Sequence, residues 1–271
     1  MRGVAFTRGA ETAARHASRR CRKGEKPLSR GWQIARDEMS NESSRRLFHD
    51  RADAGRLLAR ELTAYANRPD VLALALPRGG VPVAFEVAQA LGAPLDIILV
   101  RKLGVPGEQE LAMGAIASGG VRVLNEDVVR MIGVPSAVID AVTAREQREL
   151  NRRERLYRGD HPYPLIRGRT VILIDDGIAT GATMRAAIAL VRRQQPAAVV
   201  VAAPVAPAST CDELRPDVDD LVCVRTPEGF LAIGLWYESF PQTTDDEIRD
   251  LLDQAWRDHA ATEWTTPEAH P

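Results

Sequence analysis

The chain has 271 residues, of which 45% are hydrophobic and 27% are charged, and its formal net charge is −1. This length allows one sizeable hydrophobic core with peripheral segments. The sequence has no run of 18 or more apolar residues, so we expect neither a membrane-spanning helix nor a membrane partner. Its cysteines form no CxxC pair and no metal-ligand spacing, which is typical of reduced thiols in a cytoplasmic protein. They are Cys21, Cys211 and Cys223.

The first 38 residues differ from the rest of the chain in charge. Residues 1–38 carry ten Lys and Arg against four Asp and Glu, whereas the remainder is acidic. Their low content of aliphatic residues predicts disorder, because little apolar surface is available for burial. The segment could be a basic arm for nucleic acid or a membrane, a targeting peptide, or an inert tail. We favour a fourth interpretation, an extension upstream of a true start at Met39.

Helices alternate with buried strands over most of the chain. Apolar residues at helical spacing begin after Asp53, and this helix is predicted to end near residues 67–69. Apolar runs of strand length follow at 71–76, 95–100, 170–175, 197–205 and 220–225. Further helices are predicted around 83–91, over 136–157, over 181–195 and, as a short one, before 220. Strands that are apolar on both faces and alternate with helices indicate a doubly wound, mostly parallel α/β sheet.

The remaining segments have a different character. Residues 101–120 contain five Gly and little periodicity, which predicts a long surface loop that could contain a strand. The aromatic segment 229–240 predicts an edge strand, and 244–256 predicts a helix with Thr244 as its N-cap. The predicted division is a main domain with a small hood at 45–243, a C-terminal helix at 244–260 and a flexible tail at 261–271.

The stretch VILIDDGIATGAT, residues 171–183, combines two acids with a glycine turn between a strand and a helix. Ligands of parallel α/β sheets bind at the carboxyl ends of the strands. The free N–H groups at a helix start suit an anion such as phosphate. Asp175 and Asp176 would repel a phosphate, so they indicate either a divalent metal or a sugar diol. The alternative is ordinary turn chemistry, with Thr180 as a helix cap.

Two further loops carry cations at predicted strand ends. Arg78 and two glycines follow the first strand in the sequence PRGG, residues 77–80, and this combination suits a pyrophosphate. Arg101 and Lys102 follow the second strand and would complement the same anion. The alternatives are an ordinary glycine turn for the first loop and solvated charges for the second.

The stretch 171–183 resembles the phosphoribosyl-pyrophosphate (PRPP) motif of type I phosphoribosyltransferases at all thirteen positions. PRGG is similar to the family's pyrophosphate loop, which often contains a cis peptide bond that does not precede proline. The glycine-rich segment after Arg101 is similar to the flexible loop that closes over PRPP. The resemblance covers residues 50–240.

The resemblance implies a role for each of these residues. Asp175 and Asp176 would meet the ribose 2- and 3-hydroxyls, while Arg78 and Lys102 would stabilise the leaving pyrophosphate with Mg²⁺ held mainly through PRPP. The remaining residues expected to bind PRPP are Gly79, Gly80, Arg101, Gly177, Ala179, Thr180, Gly181, Ala182 and Thr183. The implied reaction transfers 5-phosphoribosyl from PRPP to a nitrogenous base and releases pyrophosphate.

A purine-like acceptor is favoured, although Ala179 stands where 6-oxopurine transferases usually have an aspartate. The form of the motif is closer to that of adenine transferases. Glu108 or Glu110 could act as a general acid, or could be exposed polar loop residues. Aromatic residues could stack on the acceptor or pack in the core. They are Trp236, Tyr237 and Phe240.

A binding module remains the alternative function. The same fold could sense PRPP or a nucleotide without catalysis, with the basic N-terminal arm on nucleic acid, although we favour no nucleic-acid partner. A P-loop enzyme and a dinucleotide oxidoreductase are disfavoured, because the sequence lacks both glycine-rich fingerprints. The resemblance also implies a homodimer.

Overall fold

The computed structural model describes residues 47–259, without the side chains of residues 108–111. Its central sheet has five parallel strands, β1 (Val71–Ala75), β2 (Leu95–Ile97), β6 (Thr170–Ile174), β7 (Ala198–Val205) and β8 (Asp220–Arg225). Their order in the sheet is β2-β1-β6-β7-β8. The helices are α1 (Arg51–Glu61), α2 (Gly80–Leu91), α3 (Glu126–Ile132), α4 (Ser136–Arg158), α5 (Ala182–Arg192), α6 (Ala208–Leu214) and α7 (Asp245–His259). This architecture confirms the doubly wound α/β prediction.

The central strands are buried on both faces, which explains their continuous apolar runs. Ala73 and Ala75 of β1 belong to a core cluster that includes residues of α1, α2, α4 and α7. Leu72 and Leu74 belong to the opposite cluster, which includes residues of α5 and α6. Successive residues of a strand point to opposite faces, so a sheet with helices on both sides needs apolar residues at every position.

The prediction of a long surface loop at 101–120 was wrong. This segment forms most of a second, antiparallel sheet made of β3 (Val100–Val105), β4 (Glu108–Ala117) and β5 (Arg122–Leu124). Leu103, Val105 and Met113 are buried in the core. Gly107 has a φ of 87° in the tight connection between β3 and β4. The glycines of this segment therefore mark a hairpin rather than an irregular loop.

The aromatic segment 229–240 does not form the predicted edge strand. Its regular part is a 3₁₀ turn at Ile233–Trp236, and one isolated bridge joins Phe48 to Tyr237. The segment nevertheless packs in a small cluster, here called the hood, to which Phe48, Tyr237 and Phe240 belong. Tyr237 is 5% exposed, and its ring lies 5.3 Å from that of Phe48. Aromatic residues here fill a small core instead of extending the sheet.

The C-terminal helix α7 begins where the sequence predicts. The hydroxyl of Thr244 accepts a hydrogen bond from the backbone N–H of Glu247 at 3.1 Å, which confirms the N-cap. Ile248, Leu252 and Trp256 recur at spacings of four residues and are buried in the larger core cluster. The helix contacts α2 and α4.

Every helix within residues 47–259 is too short or too polar to cross a membrane. Cys211 and Cys223 are buried free thiols whose sulfur atoms lie 3.5 Å apart. The predictions made for residues 1–38, for Cys21 and for residues 261–271 lie outside the described residues.

Candidate active site

The two motif-bearing loops meet at the carboxyl ends of the neighbouring strands β1 and β6. Leu76 donates its backbone N–H to the carbonyl of Ile174 at 2.9 Å, which continues the pairing of the strands into the loops. A Cβ atom on Gly80 would lie 2.6 Å from the Ile174 oxygen. A Cβ atom on Gly79 would lie only 1.9 Å from Oδ2 of Asp176. Both glycines of PRGG are therefore required by the close approach of the acidic loop.

The acidic pair is asymmetric. Nε of Arg51 donates to Oδ2 of Asp176 at 2.8 Å, and the two side chains are 11% and 10% exposed. Asp175 is half-buried, and its Oδ1 accepts the backbone N–H of Asp176 at 2.9 Å. Asp175 has no ion pair within residues 47–259. The site thus contains one carboxylate bound to a cation and one without a bound cation.

The electrostatics of the pair follow from this asymmetry. Desolvation, followed by the neighbouring charge of Asp176, raises the pKa of Asp175 well above its usual value. Desolvation also raises the pKa of Asp176, but the hydrogen bond and charge of Arg51 oppose that increase. Arg51 therefore favours the ionised form of Asp176.

Arg51 is fixed by contacts besides its ion pair. Its Nη1 donates to the carbonyl of Pro241 at 2.6 Å, and its guanidinium lies 3.7 Å from the ring centroid of Phe240. The hydroxyl of Tyr237 donates to the backbone carbonyl of Asp176 at 2.5 Å. The hood thus holds both the side chain and the backbone of Asp176. Sequence patterns did not point to Arg51, because no local motif links it to the acids.

The TGAT turn leads into α5 and exposes its two threonines. Ala179, Thr180 and Thr183 are exposed, and Gly181 adopts a left-handed conformation with φ 71°. The hydroxyl of Thr210, a residue of α6, donates to the carbonyl of Ala179 at 2.8 Å. The turn opens an eleven-residue helix, and the first N–H groups of a helix have no partner within the helix itself. The arrangement can bind an anion such as a phosphate.

The remaining predicted binding residues of this loop lie in the same turn. Gly177 is buried, and a Cβ atom on it would lie 2.6 Å from Cγ2 of Ile233. Ala182 is the first residue of α5, and its N–H lies 3.5 Å from the hydroxyl oxygen of Thr180. Gly177 thus allows the hood to pack against the acidic loop.

Arg78 is engaged by the C-terminal helix. The peptide bond between Pro77 and Arg78 is cis. Nε of Arg78 lies 3.4 Å from Oδ1 of Asp245, which also accepts a hydrogen bond from the hydroxyl of Tyr157 at 2.6 Å. The cation of the PRGG loop is therefore held at the start of α7.

Arg101 and Lys102 lie on β3 and differ in their surroundings. Nε of Arg101 donates to Oε2 of Glu146, a residue of α4, at 2.9 Å. Burial alone would raise the pKa of Glu146, but hydrogen bonds from Arg101 and Arg145 lower it overall. Lys102 is exposed and has no salt bridge within the described part of the chain. Adjacent residues of a strand point to opposite faces, so the side chains of Arg101 and Lys102 do not lie side by side.

A small cavity of about 30 Å³ lies where these loops meet α4. Its lining comes from the end of β1, the connection to β3, the start of α5 and the inner face of α4. The lining residues include Pro77, Arg101, Leu150, Arg153 and Thr183. Sequence reasoning missed Arg153, although its position on the inner face of a helix was a usable signal.

The residues suggested for the acceptor side fall into two groups. Tyr237 packs between Phe48 and Phe240, and the guanidinium of Arg51 lies over the Phe240 ring. This placement favours core packing over acceptor stacking for Tyr237 and Phe240, while Trp236 is half-buried. Glu108 and Glu110 lie on β4, but their side chains are outside those described.

Comparison with known proteins agrees with this geometry. The model of the phosphoribosyl transferase domain family matches residues 46–234. A Mycobacterium tuberculosis protein, provisionally named a phosphoribosyl transferase, is 50% identical over 216 residues in strains CDC 1551 / Oshkosh and H37Rv. The match covers 79% of this chain and 48% of each relative, so the chain spans about half the length of the curated relatives it matches.

A solved structure shows the same fold. The crystal structure of TT1426 from Thermus thermophilus is 39% identical in sequence, with a TM-score of 0.71. The match covers 77% of this chain and 98% of that chain. Together with the family match, this similarity confirms the resemblance first seen in the stretch 171–183. The chain belongs to the phosphoribosyl transferase domain family.

Proposed function

We propose that the protein transfers 5-phosphoribosyl from PRPP to a nitrogenous base and releases pyrophosphate. The observation that carries this proposal is the close approach of PRGG to the acidic loop, where Gly79 lies against Asp176. One substrate with a phosphate, a ribose diol and a pyrophosphate would contact the TGAT turn, the acids and PRGG together. Separate ligands would not require the two loops to touch.

The proposed roles follow the chemistry of each group. The backbone N–H groups from Ala179 to Thr183 would bind the 5-phosphate at the N-terminus of α5. Asp175 and Asp176 would accept hydrogen bonds from the ribose hydroxyls and favour the positive charge that develops on the ring. Arg51 would keep Asp176 ionised for this role.

The leaving pyrophosphate would be stabilised by the cations of the other two loops. Arg78 and Lys102, with the backbone N–H groups of Gly79 and Gly80, would compensate its developing charge. Arg78 binds Asp245, so PRPP would have to replace this partly exposed ion pair. The exchange costs little, because exposed pairs contribute only about 0–1 kcal/mol. Arg101 differs, because its partner Glu146 is buried and would be left uncompensated if Arg101 moved away.

The donor set fits a magnesium ion that is held mainly through the substrate. Within residues 47–259, no three His, Cys, Asp or Glu side chains are grouped so as to hold a metal. Mg²⁺ keeps several water ligands and takes others from substrate phosphates. Bound to PRPP, it would neutralise part of the pyrophosphate charge.

The finer assignments rest on the sequence. A purine-like acceptor is supported by the form of the motif around Ala179, whose carbonyl is fixed by Thr210. A homodimer and a cytoplasmic location remain predictions.

A transfer assay with the full chain tests the proposed function. PRPP, Mg²⁺ and a panel of bases are supplied, and pyrophosphate release is measured with each base. We expect release with at least one purine-like base. PRPP binding without transfer to any base would favour the sensing module, and a folded protein that does not bind PRPP would contradict both.

A double variant tests the acidic pair. Asp175→Asn with Asp176→Asn should abolish transfer, because neutral amides no longer compensate the positive charge of the ring. The matched control is Asp250→Asn with Asp253→Asn, which makes the same change in charge at exposed positions of α7. Full activity in the first variant would overturn the assigned role, and equal loss in both would show that net charge alone is responsible.

A further inference from the structure

The inner face of α4 carries charge where the helix crosses the strand ends. Buried residues of α4 recur at intervals of three or four, and positions 146, 150, 153 and 157 continue this face. Leu150 and Tyr157 are buried there, as expected for a helix packed on a core. Glu146 and Arg153 are charged instead. A charged group on an inward-facing position needs a partner of opposite charge.

Glu146 has such a partner within the protein, because it accepts hydrogen bonds from Arg101. Arg153 faces the cavity of about 30 Å³ whose lining also includes Pro77, Arg101 and Thr183. Pro77 belongs to the PRGG loop, Arg101 lies near the start of β3, and Thr183 ends the TGAT turn. Arg153 therefore lies where these three elements of the proposed site converge.

The present partner of Arg153 can release it. Nε of Arg153 lies 2.9 Å from Oε1 of Glu149, and these side chains are 33% and 31% exposed. Glu149 also binds Arg152, whose Nε lies 2.9 Å from Oε2. If the guanidinium of Arg153 left Glu149 for a ligand in the cavity, Glu149 would keep Arg152 as a cationic partner. A partly exposed pair within one helix holds the guanidinium only weakly.

We propose that Arg153 binds a phosphate group of PRPP and is a substrate-binding residue supplied by α4 from outside the sequence motifs. This proposal rests on the proposed function, because it assumes that PRPP is the ligand of the site. A guanidinium offers two parallel donors to phosphate oxygens, so a planar arginine fits this position better than a lysine.

Binding of Mg²⁺–PRPP by calorimetry tests the proposal, with Arg153→Gln compared with Arg152→Gln in the full chain. The two variants make the same chemical change at adjacent positions, and each removes one partner of Glu149. Arg152 is 62% exposed and is not among the residues that line the cavity. We expect Arg153→Gln to weaken PRPP binding roughly tenfold to a hundredfold, and Arg152→Gln to change it less than about twofold.

Further binding measurements distinguish the diphosphate from the 5-phosphate of PRPP, and a conservative variant controls for misfolding. Weaker binding of Mg²⁺–pyrophosphate by Arg153→Gln would assign Arg153 to the diphosphate, and weaker binding of ribose 5-phosphate would assign it to the 5-phosphate. Arg153→Lys, which keeps the charge and the fold, should show intermediate affinity. Equal PRPP affinity of Arg153→Gln, Arg152→Gln and the wild type would overturn the proposal while leaving the proposed function intact. A wild type that does not bind PRPP would contradict the proposed function itself.

Discussion

Arg51→Gln should destabilise the protein far more than a surface arginine substitution. The Arg51–Asp176 pair is nearly inaccessible to solvent, and its guanidinium also bonds Pro241 and covers Phe240. Removing one partner of a buried pair leaves an uncompensated charge and costs about 3–5 kcal/mol. A loss of about 1 kcal/mol lowers the melting temperature by roughly 2–4 °C in a domain of this size. Even the smaller cost of about 3 kcal/mol should therefore lower it by roughly 6–12 °C.

The matched control lies on the same helix. Arg56 pairs with Glu86 at 3.3 Å, but these side chains are 54% and 23% exposed. Arg56→Gln should therefore cost less than about 1 kcal/mol. Thermal and urea unfolding of both variants at neutral pH provide the comparison. Adding Asp176→Asn to Arg51→Gln should recover part of the loss, because the buried charge is then removed as well.

The pH dependence of this loss provides a second check. Without Arg51, Asp176 can lower its desolvation cost by taking up a proton. The difference in unfolding free energy between wild type and Arg51→Gln should therefore shrink as the pH falls. The reasoning is refuted if Arg51→Gln and Arg56→Gln cost the same, or if the difference grows in acid.

Two further outcomes follow from the same structure. Gly79→Ala should weaken PRPP binding about tenfold or more: the φ of −62° accepts alanine, but the new Cβ atom would displace Asp176. The control is Gly229→Ala, whose new Cβ atom has no neighbour within 4 Å and which should bind PRPP like the wild type. Equal PRPP affinities of the two variants would contradict the steric argument. Desolvation, opposed by Arg158, raises the pKa of Asp96 from 3.8 to about 6. The folded state then binds more protons than the unfolded state between these pH values, so the unfolding free energy of the wild type relative to Asp96→Asn should fall as the pH rises to about 6 and then level. Urea unfolding at a series of pH values measures this difference, and a difference that increases with pH would contradict the raised pKa.

Local patterns predicted the fold where one residue type dominates a segment. The central strands were predictable because burial on both faces requires continuous apolar runs, and the helix after Thr244 because its cap is local. The segment 101–120 was not, because glycines and charges obscure the alternation of Leu103 and Val105 in β3. The strand predicted for the aromatic segment 229–240 was also wrong, because aromatic residues are favoured both in strands and in small cores.

The sequence by itself determined the parallel sheet and the chemistry of the stretch 171–183, because both depend on residues that are neighbours in the chain. Only the tertiary structure decided how the charges are paired. Arg51 and Asp176 are 125 positions apart, and Arg101 and Glu146 are 45 positions apart. A charge has no preferred partner along the chain, since ion pairing depends on distance and solvent exposure in the folded state.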